Sequence, residues 1–150
     1  MTDMHWFESQ LAELDRLAAD YLAAQRQSGG DIVNVSESAR TKRAAFIDAV
    51  QALVDKVVKI KGIAACAAYH DGLILAQSAE VPHIDAFGAV IQETIRAAQH
   101  GQVSLSLGAI EQIVIVGVDH KLAMLSVGPI ILCIYSPKQV NLASVLSRQA

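Results

Sequence analysis

Gly62-Ile63-Ala64-Ala65-Cys66-Ala67-Ala68-Tyr69-His70-Asp71-Gly72-Leu73-Ile74-Leu75-Ala76 reads as two short strands joined by a tight turn, because Asp-Gly supplies the positive φ that a two-residue hairpin requires. Downstream, a helix is expected to start after Pro82, to carry Asp85 in its first turn and to stop at Gly101. Three apolar runs follow, Ile113-Val114-Ile115-Val116, Leu122-Ala123-Met124-Leu125 and Ile130 to Tyr135. Their expected joints are Asp119-His120-Lys121 and Gly128-Pro129. A short helix over about 139–149 closes the chain. Upstream, Phe46, Val50, Leu53, Val57 and Ile60 repeat on one face of a helix expected over 41–61, with Gly62 as its stop.

The first and third of the late strands are apolar on both faces, the pattern of a sheet covered by helices on both sides. Helices 41–61 and 139–149 are therefore expected on one face and the central helix on the other. The fold class is α/β (α+β): a three-layer α/β/α sandwich with a five-stranded antiparallel sheet, in the order α-β-β-α-β-β-β-α, preceded by an extra N-terminal helix. That helix, residues 4–26, carries Phe7, Leu11, Leu14, Ala18 and Tyr21 at alternating steps of four and three. Ser28-Gly29-Gly30-Asp31 ends it and opens a linker to about Arg40, within which Ile32-Val33-Asn34-Val35 is a candidate short strand. Two units are expected: residues 1–40, a helix and linker that docks through its apolar stripe and is dispensable for folding, and the domain 41–150.

The central helix has more apolar surface than one core needs. Ile84, Phe87, Ile91, Ile95 and Ala98 form its inward stripe. Ala86, Val90, Thr94 and Ala97 widen the apolar arc to roughly 180°, against the ≳100° that packing on one core uses. Something else must cover the surplus. Asp85, Gln92, Arg96 and Gln99 are expected to face water.

Composition points the same way. Of 150 residues, 53% are hydrophobic and only 18% charged, below the usual charged share of about 25%, which suggests a buried partner surface. The net charge is -3 with no basic block, so the electrostatic footprint of a nucleic-acid binder is missing. Cys66 and Cys133 lie in apolar runs without CxxC spacing and read as buried thiols in a reducing compartment. The first residues lack the charged and apolar regions of a signal peptide. The stretch Leu122 to Tyr135 is broken by Ser126 and Gly128-Pro129, short of the ~20 residues of a membrane helix. A cytoplasmic protein without membrane insertion is expected.

Catalytic constellations are not found. His5, His70, His83, His100 and His120 have no second ligand at metal-binding spacing, and His70 and His120 read as solvated turn residues. Gly29-Gly30 lacks the Lys-Ser/Thr of a phosphate loop, and no GxSxG elbow occurs. Ser104, Ser106 and Glu111 stand without a nameable base or acid partner. No catalytic residue, metal site or cofactor is expected.

Tyr69-His70-Asp71-Gly72-Leu73-Ile74-Leu75-Ala76, the long central helix, Val114-Ile115-Val116, Leu122-Ala123-Met124-Leu125 and Asn141-Leu142 at the head of the last helix together resemble the roadblock family of dynein light chains and bacterial GTPase regulators, over residues about 42–149. The resemblance implies a homodimer in which two central helices lie side by side and two sheets join through the strand after the helix. Ala86, Val90, Thr94, Ala97, Ile113 and Ile115 would form that seam. It also implies that the dimer, lacking an active site, binds a Ras-like small GTPase, through a platform on which Asp85, Gln92, Glu93, Arg96 and Gln99 are the candidate contacts. A GTPase activator acting in trans often supplies an arginine, and Arg96 is the only arginine of the central helix. The alternative is a dimeric scaffold or assembly subunit that recruits a protein partner through its N-terminal helix, with no GTPase.

Overall fold

The structure, a computed structural model, describes residues 8–27, 37–70, 73–78 and 84–147. Its elements run α1 (Glu8–Gln27), α2 (Glu37–Val58), β1 (Ala65–His70), β2 (Leu73–Gln77), α3 (Ile84–Ser104), β3 (Gln112–Val116), β4 (His120–Val127), β5 (Ile130–Pro137) and α4 (Leu142–Ser147). The Asp71-Gly72 turn, Pro82, Phe7 and the candidate strand 32–35 lie outside the described residues.

The five strands form one antiparallel sheet in the order β2-β1-β5-β4-β3. Side chains alternate across it, and two cores result. On one face Cys66, Ala68, Ile130, Leu132 and Ile134 meet Phe46, Val50, Leu53 and Val57 of α2, with Leu14 and Ala18 of α1 and Leu142 of α4 joining them. On the other, Ala67, Met124 and Cys133 meet Phe87, Ile91 and Ile95 of α3. The three-layer sandwich is thus present. A register shift between Ala68 and Tyr69 lets the sequence neighbours Leu75 and Ala76 both pack on the α2 face.

Several boundaries differ from the sequence reading, each for a local reason. Helix α2 starts at Glu37 rather than 41 and ends at Val58. The chain then turns twice, through Ile60 N–H to Val57 O and Ile63 N–H to Ile60 O, the second turn containing Gly62 at φ 102°. Helix α3 passes through Gly101, a residue that a helix tolerates at a cost of about 1 kcal/mol. It ends three residues later, where Ser106 takes φ 54° and Leu105 N–H bonds back to Gly101 O. The β3–β4 turn is Gly117–Asp119, closed by Gly117 N–H to His120 O at 2.8 Å, so His120 opens a strand instead of sitting in the turn. Helix α4 begins only at Leu142 because Asn141 Oδ1 caps Ser144 N–H at 3.1 Å.

The two histidines expected in solvent have partners. His70 donates Nδ1–H to Pro129 O at 2.7 Å and meets the edge of Phe46, with centroids 5.2 Å apart. His120 stacks on Tyr135 at 4.9 Å. The Cys66 and Cys133 thiols are buried on opposite faces of the sheet. Burial raises both pKa values, that of Cys133 to about 12. Both thiols therefore stay protonated in the fold while an unfolded thiol ionises near ~8.5. Their contribution to stability is complete below that pH and is lost as pH rises toward about 12. Melting temperatures should accordingly fall above pH ~8.5, and should fall less steeply in Cys133→Ala than in the native chain.

Helix α1 packs along α2. Leu14 is 1% exposed and shares the core of α2 and the sheet. The opposite side of α1 is held by Arg16, which bridges Glu13 at 2.5 Å and Asp20 at 3.3 Å and lowers the Glu13 pKa by hydrogen bonding. A chain starting at Asp31 is expected to lose the helical signal of α1, to keep a cooperative melt and to melt lower, since losing the burial of Leu14 alone costs about 2–5 kcal/mol. An insoluble or molten product would make α1 part of the folding core.

Candidate interaction surface

The candidate residues sit on α3 and β3. Helix α3 buries Phe87, Ile91 and Ile95 against the sheet, which turns Ala86, Val90, Thr94 and Ala97 onto one flank and Gln92, Arg96 and Gln99 onto the other. Ala86, Val90 and Ala97 are exposed and Thr94 half-buried, while Gln92, Glu93, Arg96 and Gln99 are all exposed. The side chain of Asp85 lies outside the described residues.

Strand β3 departs from expectation. Its apolar run is not covered on both faces: Val114, Ile115 and Val116 are exposed. The strand ends the sheet, with β4 its one neighbour among the described residues. Ile113, opposite Met124, packs half-buried in the α3-side core, and Ile115, opposite Leu122, is 42% exposed. An apolar strand with an open edge is a template for pairing with another chain.

The sequence reading missed the extension of this surface. Val103, Leu105 and Leu107, around the end of α3, are strongly exposed, as is Val118 in the β3–β4 turn. Their period-two spacing in Val103-Ser104-Leu105-Ser106-Leu107 was the available signal, masked by reading Gly101 as the helix end. Between the last turns of α3 and the sheet lies a cleft of about 160 Å³ with a floor of Ile95, Ile113, Met124 and Ile131. Gln99, Gln102, Glu111 and Ser126 line its polar part. The cleft brings Gln99 and Ile113, one residue from each candidate set, to one place. A second, of about 100 Å³, separates α1 from the β1–β2 hairpin and is lined by Tyr21, Leu22, Arg43, Phe46, His70 and Leu73 among others.

Among the described residues no three His, Cys, Asp or Glu side chains are grouped to hold a metal ion, and no helix is long and apolar enough to cross a membrane. The surface offers apolar area, an open strand edge and a flanking row of polar side chains. Those are the means of binding a protein.

Solved structures with an antiparallel five-stranded sheet covered by helices on both faces superpose on this chain and give it a roadblock/LC7-type fold. A Roadblock/LC7 domain from Streptomyces avermitilis matches at TM-score 0.56 and 13% identity, over 66% of this chain and 89% of that one. MglB of Myxococcus xanthus matches at TM-score 0.59 and 13% identity, over 69% and 80%. The gliding protein MglB of Thermus thermophilus matches at 0.54 and 14%, over 65% and 77%. Neither a family model nor a curated protein sequence matches the chain. The likeness lies in the fold.

Proposed function

We propose that this chain is a non-catalytic regulatory module that forms a homodimer and binds a Ras-like small GTPase, modulating its nucleotide cycle or its location. The observation that carries the proposal is the uncovered apolar band at the open edge of the sheet: Val90 on α3 and Ile115 on the α3 side of β3, with Val114 and Val116 exposed on the other side of the same strand. On a roadblock fold that band is suited to a second copy: β3 pairs with β3 across a two-fold axis, and the flanks bearing Ala86, Val90, Thr94 and Ala97 pack together. Such a seam buries on the order of 1,600 Å² in total.

The GTPase part rests on the resemblance to bacterial GTPase regulators, and the fold likeness to two MglB structures supports it. Gln92, Glu93, Arg96 and Gln99, with Asp85 at the head of α3, are assigned to the partner. One asymmetric GTPase placed across the two-fold axis would exclude another, giving two chains per GTPase. The scaffold reading needs α1 free to recruit. Its stripe is instead engaged, with Leu14 and Ala18 buried in the core.

The test is a pull-down and nucleotide-turnover assay with the cognate GTPase. An Arg96→Ala, Gln92→Ala double variant should weaken capture or slow the response, whereas Lys61→Ala, in the connection between α2 and β1, should not. Equal behaviour of native and double variant would move the binding face elsewhere. The purified chain alone should turn over no GTP above a protein-free control.

A further inference from the structure

Five of the chain's six lysines come from three separate segments, and the fold gathers them at one end of the sheet. Lys56 lies in the last turn of α2, and Lys59 and Lys61 in the turns that lead to β1. Lys121 is the second residue of β4, and Lys138 follows β5 directly. Contacts tie these segments together. Lys138 N–H bonds to Asp119 O at 3.0 Å, Lys121 Nζ donates to Val140 O, and Val140 packs so close to Gly62 that a Cβ there would lie 3.3 Å from it. Among the described residues, Asp55 and Asp119 are the acidic residues of these segments. The chain carries -3 overall, so this end is a positive pole on an acidic protein. Beside the lysines, at the tip of the β3–β4 turn on the outer edge of the sheet, Val118 is 87% exposed.

We propose that this pole docks on an anionic membrane surface, with the lysines over the lipid headgroups and Val118 reaching between them. Lysine ammoniums are hydrated point charges on flexible stems, suited to a diffuse field of phosphates; the pole has no arginine fork for bidentate recognition of a nucleic acid. A folded acidic partner would need to match a convex valine tip with a shaped hollow, whereas a headgroup layer yields around it. Each lysine near an anionic leaflet strengthens binding about fivefold, so several together suffice for reversible, salt-sensitive docking. The inference does not depend on the GTPase reading.

The experiment is co-sedimentation of the full chain with vesicles of phosphatidylcholine containing about 30% phosphatidylglycerol, beside vesicles of phosphatidylcholine alone, at about 50 mM and about 500 mM salt. Binding to the anionic vesicles only, and its loss at high salt, is expected. Lys59→Glu, Lys61→Glu, Lys138→Glu together should weaken it by at least about tenfold. Arg40→Glu, Lys42→Glu, Arg43→Glu, the same charge change about 25 Å away along α2, should leave most of it. Val118→Asp should weaken it further than the loss of one charge. No binding of the native chain at low salt, equal binding to neutral vesicles, equal losses in the two triple variants, or preferential capture by polyglutamate or duplex DNA in the same buffer would each overturn the proposal. The native chain's lipid and salt dependence decides the matter even if the lysine variant fails to fold.

Discussion

Ile115→Asp is expected to leave a folded monomer, and the native chain to be a dimer at micromolar concentration. In the single chain Ile115 is 42% exposed, so the new carboxylate stays hydrated and circular dichroism should not change. In the proposed seam the two copies bring two carboxylates into a dry strand pair. An uncompensated buried charge costs several kcal/mol, and every 1.4 kcal/mol is about a factor of ten in affinity, so the dissociation constant should rise on the order of a thousandfold. Light scattering coupled to size exclusion reads the result directly. Val90→Asp examines the α3 flank in the same way. Ile113→Asp is less clean, because Ile113 also packs against the α3-side core and the charge would strain the fold itself. A native chain that is monomeric would remove the homodimer, and a dimeric Ile115→Asp would move the seam off β3.

Phe46→Ala is expected to have the largest effect on stability. Phe46 is 1% exposed, belongs to the core that joins α2, α1 and the sheet, and meets the His70 ring edge-on at 73°. Removing a buried phenyl ring costs about 3–5 kcal/mol, against a total of about 5–15 kcal/mol for a domain of ordinary stability. At roughly 2–4 °C per kcal/mol for a chain of this size, the melting temperature should drop by about 6–20 °C. A drop under about 3 °C would mean that the groove beside Phe46 collapses onto the space, drawing in Tyr21 and Leu22, which line it.

What could be read from the chain was local. The stripe Phe87, Ile91 and Ile95 is buried as its spacing requires, and so are Phe46, Val50, Leu53 and Val57. The β1–β2 pairing follows from the two apolar runs that Asp71-Gly72 separates in the sequence. What escaped depends on contacts between distant segments. Nothing near His70 in sequence announces that the Pro129 carbonyl accepts a hydrogen bond from its ring or that Phe46 packs on it. The lysine pole assembles from three stretches, none of which is a basic run by itself. Strand β3 shows the limit most clearly: Val114, Ile115 and Val116 have the composition of a strand covered on both sides, and composition is the same whether a helix of this chain or the surface of another protein does the covering.

The order of the strands carries a consequence for synthesis. β1 has β2 on one side and β5 on the other, and Ala65 pairs with Tyr135, so one whole edge of β1 has no partner until Tyr135 has left the ribosome. At about 5–20 residues per second, the edge of Ala65 to Tyr69 is open for several seconds, flanked by the apolar face of α2. A helper that shields nascent apolar strands would find its target there. The chain would be most prone to misassociation when translation stalls between residues 80 and 130.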